Sequence, residues 1–196
     1  LSEESFEVLN RISALDKRIN IKTNTINQGA GLSRNSAIKI ASGEYIAFCD
    51  CDDLWRETKL DEQIKFMKEK NVDFSFTAYD IINENKNKIG FRKAKKLLSF
   101  NDLVKSCDIG LSTVVLKKKL LDNPNYRFVN LKTKEDYVLW LKLAKDGILL
   151  NGLNKNLVCW RKNKQSLSSS VIQKIADGYK VYNSYLKFNI FKSIIC

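Results

Sequence analysis

Residues 43–55 have the sequence Gly-Glu-Tyr-Ile-Ala-Phe-Cys-Asp-Cys-Asp-Asp-Leu-Trp, in which a short apolar run stops at a group of carboxylates. Residues 45–49 are apolar on both faces and follow a Ser-Gly turn, a pattern that predicts a buried strand. Asp50, Asp52 and Asp53 then lie at the carboxyl end of that strand. Open α/β sheets bind ligands at this edge, because the loops there leave a crevice between flanking helices. The stretch therefore predicts an α/β fold with a binding site at residues 50–53.

The three carboxylates need a compensating charge, since like charges about 4 Å apart repel by roughly 1 kcal/mol in water and by more in a protein cleft. A divalent cation bound by Asp50, Asp52 and Asp53 would supply it. Oxygen ligands without a nearby histidine favour Mg²⁺ or Mn²⁺ over zinc. The alternative is that Asp52 or Asp53 caps the following helix while the other acids are solvated. Capping needs only one acid, so the sequence favours the metal site.

The composition is that of one globular domain with a strong positive charge. The chain has 196 residues, 44% of them hydrophobic, and a net charge of +12 with no histidine. Such a charge favours nucleic acid, a phosphorylated small molecule or an anionic membrane surface as a partner. Coding bias toward lysine and asparagine explains it equally well. The five unpatterned cysteines and the lack of an apolar run of ~20 residues predict a cytoplasmic protein, with peripheral contact at the inner face of the cytoplasmic membrane as an addition.

The segment before the acids predicts a helix over residues 1–16 and a short strand over residues 18–23. A loop with two glycines follows and leads into a helix of about residues 33–41. A glycine-rich turn that opens a helix can present backbone N–H groups to a phosphate. Arg34 would add a planar donor. A plain turn with a surface arginine is the alternative.

The segment after the acids alternates between helical and strand patterns. A basic loop is predicted at residues 86–96, and residues 133–136 open a helix with Thr133 as N-cap and Asp136 at the capping-box position. The helix that follows the acids points Leu60, Ile64 and Met67 inward. The last helix carries an apolar stripe with lysines, which suits packing on the domain or an anionic membrane surface. The predicted helices are residues 57–71, 100–106, from 133 and from about 170, and the strands are 73–82, 112–116, 147–150 and 157–160.

Several short motifs occur in order along the chain: Asn27-Gln28-Gly29, Ser33-Arg34-Asn35, residues 41–48, Asp50-Cys51-Asp52-Asp53-Leu54-Trp55 with Lys59-Leu60, Phe76-Thr77-Ala78-Tyr79, Glu135-Asp136-Tyr137 with Trp140-Leu141, and Trp160-Arg161 with Ser166 and Ser168. Together they resemble the family 2 glycosyltransferases of bacterial polysaccharide synthesis. The resemblance covers nearly the whole chain. It implies a GT-A fold, a Rossmann-like α/β fold with a mixed, mainly parallel sheet flanked by helices.

The resemblance also implies that different parts of the single domain have different functions. Residues 1–83 would form the rest of the nucleotide-sugar and metal-binding half. Residues 84–168 would form the acceptor and catalytic half, and residues 169–196 a C-terminal helical tail. Family members usually begin with a strand, a helix and a second strand that help to hold the nucleotide. The resemblance therefore implies that roughly forty N-terminal residues are absent, which would leave an unpaired edge beside the strand at residues 45–49.

The implied function is that of a hexosyltransferase-like enzyme. It would transfer a sugar, with inversion, from a nucleotide-sugar donor, most simply a UDP-sugar, to a saccharide or lipid-linked acceptor in capsule, lipopolysaccharide or related polymer synthesis. Asp50 and Asp52 match the family's DXD motif and Asp53 continues it, so these acids would hold Mn²⁺ or Mg²⁺ against the donor diphosphate. Asp136 matches the general base of the family's Glu-Asp pair.

Further residues take their implied roles from the same motifs. The nucleotide-sugar would be contacted by Asn27, Gly29, Arg34 and Asn35 together with Asp50 and Asp52. The acceptor or a phosphate would be met by Glu135, Trp160 and Arg161, and residues 162–164 would add positive charge.

Two other functions stay open at this point. One is a non-catalytic remnant or partner subunit of such an enzyme, because part of the nucleotide pocket would be absent. The other is a nucleic-acid-binding module, prompted by the charge of +12 and the 10% aromatic content. Its basic residues are scattered and its sequence carries no recognition motif, so nucleic acid is the least favoured partner.

Overall fold

The computed structural model describes residues 3–163 and 171–188. Its helices are α1 Glu3–Leu15, α2 Gly29–Ile40, α3 Lys59–Lys70, α4 Phe100–Lys105, α5 Glu135–Lys145 and α6 Val171–Lys180. Its strands are β1 Tyr45–Ala47, β2 Leu54–Trp55, β3 Phe74–Ile82, β4 Lys88–Arg92, β5 Leu97–Leu98, β6 Val115–Lys117 and β7 Leu150–Arg161. A π-helical turn, Val181–Tyr185, follows α6. Within these residues, no helix is long and apolar enough to cross a bilayer.

The strands form one mixed sheet in the order β1-β6-β3-β7-β2, with β4 beside β3 and β5 beside β7. A mixed sheet flanked by helices confirms the predicted fold class. The expectation of a mainly parallel sheet is wrong, because β3 and β7 are parallel while the other five pairings of the described strands are antiparallel. Antiparallel neighbours need only short returns, whereas parallel ones need long crossovers. The strand β4 illustrates this, since a tight turn in which Asn83 N–H donates to Asn87 O brings it back along β3 where a basic loop was predicted.

The core is centred on α5, which is buried on nearly all sides. Trp140 is fully buried, and its ring lies 5.1 Å from that of Phe74 and 6.4 Å from those of Phe48 and Phe128. A helix that is apolar all round belongs in the interior of a domain. This packing fixes α5 under the sheet and thereby places Glu135 and Asp136, at its first turn, near the end of β1.

The helix α3 is rotated relative to the prediction. It buries Lys59, Gln63 and Met67, while Leu60 is 39% exposed and Ile64 is half-buried. Gln63 accepts a hydrogen bond from Lys59 Nζ at 2.9 Å and donates to Ser75 Oγ and Thr113 O, both at 2.9 Å. Because these polar groups satisfy one another, the interior accepts them where an apolar periodicity pointed to other residues.

Other local differences arise where tertiary contacts replace a local pattern. Residues 18–23 are irregular and do not form the predicted strand. Of the strands predicted at residues 147–150 and 157–160, the first is wrong for residues 147–149, which precede β7, and the second lies within β7, which pairs along nearly all of β3. Thr133 does not cap α5, since Lys134 in left-handed conformation (φ 64°) precedes the helix and the Thr133 hydroxyl donates to Asp177. The helix α4 begins as predicted, with Ser99 and Asp102 forming a capping box.

Candidate active site

The acidic loop, residues 50–53, crosses the sheet from β1 at one end of the strand order to β2 at the other. The strands β1, β3 and β7 end at the edge it crosses, because β1 and β3 are both antiparallel to β6 and β3 is parallel to β7. The loop therefore lies at the carboxyl edge of these three strands. Ligands are bound at this edge in open α/β sheets.

Asp53 points into the protein and anchors the loop. Its Oδ2 accepts a hydrogen bond from Ser112 Oγ at 2.5 Å, and its Oδ1 accepts one from the Arg161 backbone N–H at 2.9 Å. The residue is only 7% exposed, and burial raises the pKa of its carboxyl to about 6. Both oxygens are thus used inside the protein. Among the described residues, the three predicted carboxylates do not form one metal-binding group, because Ser112 and the Arg161 backbone N–H occupy the oxygens of Asp53.

The side chains of Asp50 and Asp52 have other surroundings than that of Asp53. Asp50 is 36% exposed and its Oδ1 accepts a hydrogen bond from Arg34 Nη2 at 2.7 Å. The Asp52 side chain is half-buried and its carboxylate makes no hydrogen bond or ion pair with the residues that the structure describes. Within the same residues, no group of three or more acids or cysteines is arranged to hold a metal. Two carboxylates nevertheless fit Mg²⁺ or Mn²⁺, since Mg²⁺ is commonly bound by one or two carboxylates plus substrate phosphates.

Arg34 bridges the acidic loop and the start of α5. Its Nη1 donates to Glu135 Oε1 at 2.5 Å while its Nη2 holds Asp50, and its guanidinium carbon lies 5.6 Å from the centre of the Phe128 ring. Burial alone would lower the pKa of Arg34, but the two carboxylates raise it. Arg34, predicted as a nucleotide contact, and Glu135, predicted as an acceptor contact, are therefore paired with each other. The bridge brings the loop and α5 together across 85 residues of chain between Asp50 and Glu135.

Asp136 follows Glu135 in the first turn of α5 and is half-buried. The Tyr137 backbone N–H donates to its Oδ1 at 2.7 Å. Burial, with a smaller contribution from the neighbouring Glu135 charge, raises the pKa of Asp136 to about 7. A carboxylate with this pKa can take up a proton near neutral pH, which is what a general base must do.

Asn27, Gly29 and Asn35, predicted to contact the nucleotide, hold α2 in place. Asn27 Oδ1 accepts from the Gly29 N–H at 3.0 Å in the turn that opens α2, where Gly29 has φ +81°. Asn35 donates to Phe128 O at 2.8 Å and accepts from Phe128 N–H at 3.0 Å. An amide side chain matches the donor and acceptor of one backbone residue, so Asn35 joins α2 to the segment before α5.

Arg161, predicted to meet a phosphate, binds backbone carbonyls at the end of β7. Its Nε donates to Asp52 O at 2.8 Å, and its Nη1 donates to Glu84 O at 3.1 Å. Together with its backbone bond to Asp53, these contacts fasten the acidic loop to the ends of β3 and β7. Trp160 is half-buried beside it and Lys162 is exposed. Lys164, Ser166 and Ser168 lie outside the described residues.

Ser112 is a site residue that the sequence pattern did not indicate. Its Oγ donates to Asp53 and accepts from the Asp50 backbone N–H at 3.0 Å, while its carbonyl accepts from Trp55 Nε1 at 2.9 Å. One residue therefore joins three positions of the stretch from 50 to 55. The only local signal is a buried serine beside an apolar run, which does not say what it binds.

The chain is similar in sequence to a protein family and to named proteins. Residues 2–123 match the model of glycosyl transferase family 2. WfgD of Escherichia coli, named as a UDP-Glc:alpha-D-GlcNAc-diphosphoundecaprenol beta-1,3-glucosyltransferase, is 37% identical over 174 residues, which are 88% of this chain and 67% of WfgD. TuaG of Bacillus subtilis (strain 168), whose name assigns it to teichuronic acid biosynthesis, is 30% identical over 191 residues, covering 97% of this chain and 75% of TuaG.

The solved structures add a match of fold. S. aureus TarS 1-349 in complex with UDP-GlcNAc has a TM-score of 0.69 at 20% identity, over 91% of this chain and 53% of the TarS chain. The chain thus spans about two thirds to three quarters of the two curated relatives and about half of the TarS structure. The fold that they share is the GT-A fold.

Proposed function

Because the chain belongs to glycosyl transferase family 2, we propose that it transfers a sugar from a nucleotide-sugar donor to an acceptor in the synthesis of a bacterial surface polysaccharide. The observation that carries the proposal is the Arg34 bridge, which joins Asp50 of the acidic loop to Glu135, the residue directly before Asp136 on α5. Sugar transfer needs two functions together, one at the leaving diphosphate and one at the attacking hydroxyl.

The donor in this proposal is a UDP-sugar. The name of WfgD contains UDP-Glc, and TarS was solved with UDP-GlcNAc. Asp50 and Asp52 would hold a divalent metal against the donor diphosphate, and Asp53 would keep the loop in position from inside. When bound, Mn²⁺ or Mg²⁺ would neutralise negative charge that builds on the leaving nucleoside diphosphate.

The base in this proposal is Asp136. Its carboxylate would take the proton from the acceptor hydroxyl as the oxygen attacks the anomeric carbon. Attack from the face opposite the leaving diphosphate would invert that carbon. Glu135 is occupied by Arg34, so its role would be to hold the first turn of α5 against the acidic loop.

The acceptor in this proposal is a saccharide on a lipid diphosphate. The name of WfgD contains such an acceptor, and a net charge of +12 would favour a polyanionic partner or an anionic membrane surface. The enzyme would then work at the inner face of the cytoplasmic membrane. Residues 1–83 would serve the donor, residues 84–168 the acceptor, and residues 169–196 would support the second part.

The test is a transfer assay on the purified chain with UDP-glucose and UDP-GlcNAc, a lipid-diphosphate-linked GlcNAc acceptor, and Mn²⁺ or Mg²⁺. We expect UDP release that depends on the acceptor and the metal. The Asp136→Asn variant should lower kcat by about 10²- to 10⁴-fold, the range that a general base contributes, with an unchanged melting temperature. Asp146→Asn, at the other end of α5, is the matched control and should stay near wild type. Full activity in Asp136→Asn, or a folded wild type that releases no nucleotide from UDP-, GDP- or CMP-sugars, would refute the proposal.

A further inference from the structure

A buried carboxylate on α6 contacts the segment that leads into α5. Asp177 is 1% exposed, and its Oδ2 accepts hydrogen bonds from the Thr133 backbone N–H at 3.0 Å and from the Thr133 Oγ1 at 2.9 Å. Lys180 lies 4.0 Å from the other oxygen. Asp177 is 41 residues from Asp136 in sequence, and no sequence motif connects them. It nevertheless binds Thr133, which lies three residues before the proposed base.

The segment at residues 133–134 has an unfavourable backbone conformation. Lys134 lies between Thr133 and the helix and has a left-handed conformation, φ 64° and ψ 14°. A residue with a side chain pays about 1–2 kcal/mol for that conformation, so it persists only where its surroundings hold it. Lys134 O accepts the Val138 N–H at 3.1 Å, which is a hydrogen bond of the first turn of α5. The direction in which Asp136 points therefore depends on how this turn is fixed.

A second contact from the same C-terminal segment holds the other side of Asp136. Tyr182, in the π-helical turn after α6, has its hydroxyl oxygen 3.1 Å from that of Tyr137 and donates to Val104 O at 3.0 Å. Tyr137 donates to Leu103 O at 2.5 Å. Asp136 thus lies between Thr133, held by Asp177, and Tyr137, held by α4 and Tyr182.

We propose that Asp177 is a positioning residue for the proposed base Asp136: by fixing the Thr133-Lys134 turn from α6, it sets the first turn of α5. This inference rests on the proposed function of Asp136. It gives α6 a part in the chemistry although no residue of α6 belongs to the site. A carboxylate is suited to this because it accepts the backbone and the hydroxyl bond of one residue at the same time.

The experiment compares Asp177→Asn with Asp102→Asn in the transfer assay and in hydrogen–deuterium exchange. Asp102 is the matched control, because its carboxylate also accepts a backbone N–H and a hydroxyl, from Ser99 at the start of α4. We expect Asp177→Asn to lower kcat by about tenfold or more with a donor KM within twofold, since small misplacement of a reacting group costs up to about 10²-fold. Asp102→Asn should keep kcat near wild type. Amides of residues 133–138 should exchange faster in Asp177→Asn only.

A pair of Thr133 variants keeps the test decisive if Asp177→Asn does not fold. Thr133→Ser keeps both hydrogen bonds to Asp177, so its kcat and hydrogen exchange should stay at the wild-type values. Thr133→Val loses the hydroxyl bond and should lower kcat. Unchanged kcat in folded Asp177→Asn and Thr133→Val, or unchanged exchange at residues 133–138, would overturn the inference. If the wild type transfers no sugar, the proposed function fails on that result alone. The exchange data then still decide whether Asp177 holds the turn.

Discussion

Asp52 and Asp53 are adjacent, chemically identical side chains with opposite surroundings. Asp53 is 7% exposed and accepts hydrogen bonds on both carboxylate oxygens, from Ser112 and from the Arg161 backbone. Asp52 is half-buried, its carboxylate has no partner among the residues that the structure describes, and its carbonyl is held by Arg161 Nε. Asp53 is therefore fastened by protein groups, whereas the Asp52 carboxylate has no protein partner among the described residues.

The difference shows how a loop can be both rigid and reactive. An unpaired carboxylate that must meet a metal or a phosphate needs a fixed backbone, because a reacting group held loosely loses much of its effect. The hydrogen bonds among Asp53, Ser112 and Arg161 hold the backbone of the acidic loop in place. The pair on α5 is similar: Glu135 is held by Arg34, whereas Asp136, the proposed base, accepts a hydrogen bond from the backbone N–H of the next residue.

Within the acidic loop, the largest expected effect comes from changing Asp52 alone. Asp52→Asn should lower kcat by about 10²- to 10³-fold, because electrostatic stabilisation of the leaving group is commonly of that size. The melting temperature should stay within about 1 °C of wild type, because a substitution that breaks no protein contact costs little. Steady-state kinetics with a thermal melt measure both quantities, and Asp61→Asn on the exposed surface of α3 is the control. A large drop in melting temperature would contradict the contrast between Asp52 and Asp53, because it would show that Asp52 also stabilises the loop.

The pH dependence of activity should report the raised pKa of Asp136, which burial brings to about 7. A base works only when ionised, and the ionised fraction falls about tenfold for each pH unit below the pKa. We therefore expect kcat/KM to rise about fiftyfold between pH 5 and pH 7, to increase about twofold more above pH 7, and to level off beyond pH 8. Circular dichroism at pH 5 controls for unfolding. A flat profile from pH 5 to pH 8 would show that Asp136 is not the base.

A smaller, mixed effect should follow from loosening the contacts of Asp53. Ser112→Ala removes the hydroxyl that joins Asp53 to the Asp50 backbone N–H. It should lower the free energy of unfolding by about 1–3 kcal/mol, the cost of leaving a buried polar group unsatisfied. We expect kcat to fall about tenfold, because the loop loses its alignment. Denaturant unfolding and kinetics test this against Ser36→Ala on α2, and loss of activity without loss of stability would contradict an anchoring role.

The smallest effect should come from the contact that lets α2 approach α5. A Cβ atom on Gly31 would lie 2.8 Å from Val129 O and 3.0 Å from Glu135 Cγ. Gly31→Ala should therefore push α2 away, cost about 1–3 kcal/mol as overpacking does, and lower kcat a few-fold through the Arg34 bridge. Gly178→Ala is the control, since its Cβ would make only an ordinary contact at 3.7 Å with Lys134. Equal stability of the two variants would show that the close approach is not required.

The sequence predicted a helix or strand well where neighbouring residues alone favour that helix or strand. The strand after Gly43, the helix capped by Ser99 and the helix that contains Trp140 follow from apolar runs, caps and periodicity in neighbouring residues. The predicted phase of α3 was wrong because Lys59 and Gln63 are buried through hydrogen bonds to residues on other elements. Periodicity cannot show such partners.

The candidate site divides in the same way. Residues 50–53 were predicted from acids at the end of a strand, and residues 135–136 were predicted from the resemblance to the family's Glu-Asp pair. The inward turn of Asp53, the pairing of Arg34 with Glu135 and the backbone contacts of Asn35 and Arg161 were not predicted. Each depends on residues between 59 and 109 positions away, which the sheet order brings together.

The sequence by itself determined the family, the fold class and the set of acids, because these depend on residue types at short spacings. Only the tertiary structure decided that Asp53 is anchored by protein groups and that the Asp52 carboxylate has no partner among the described residues. The physical reason is that a carboxylate's role depends on what surrounds its oxygens, and those surroundings come from β7, the turn before β6 and α2 rather than from the neighbouring residues of the chain.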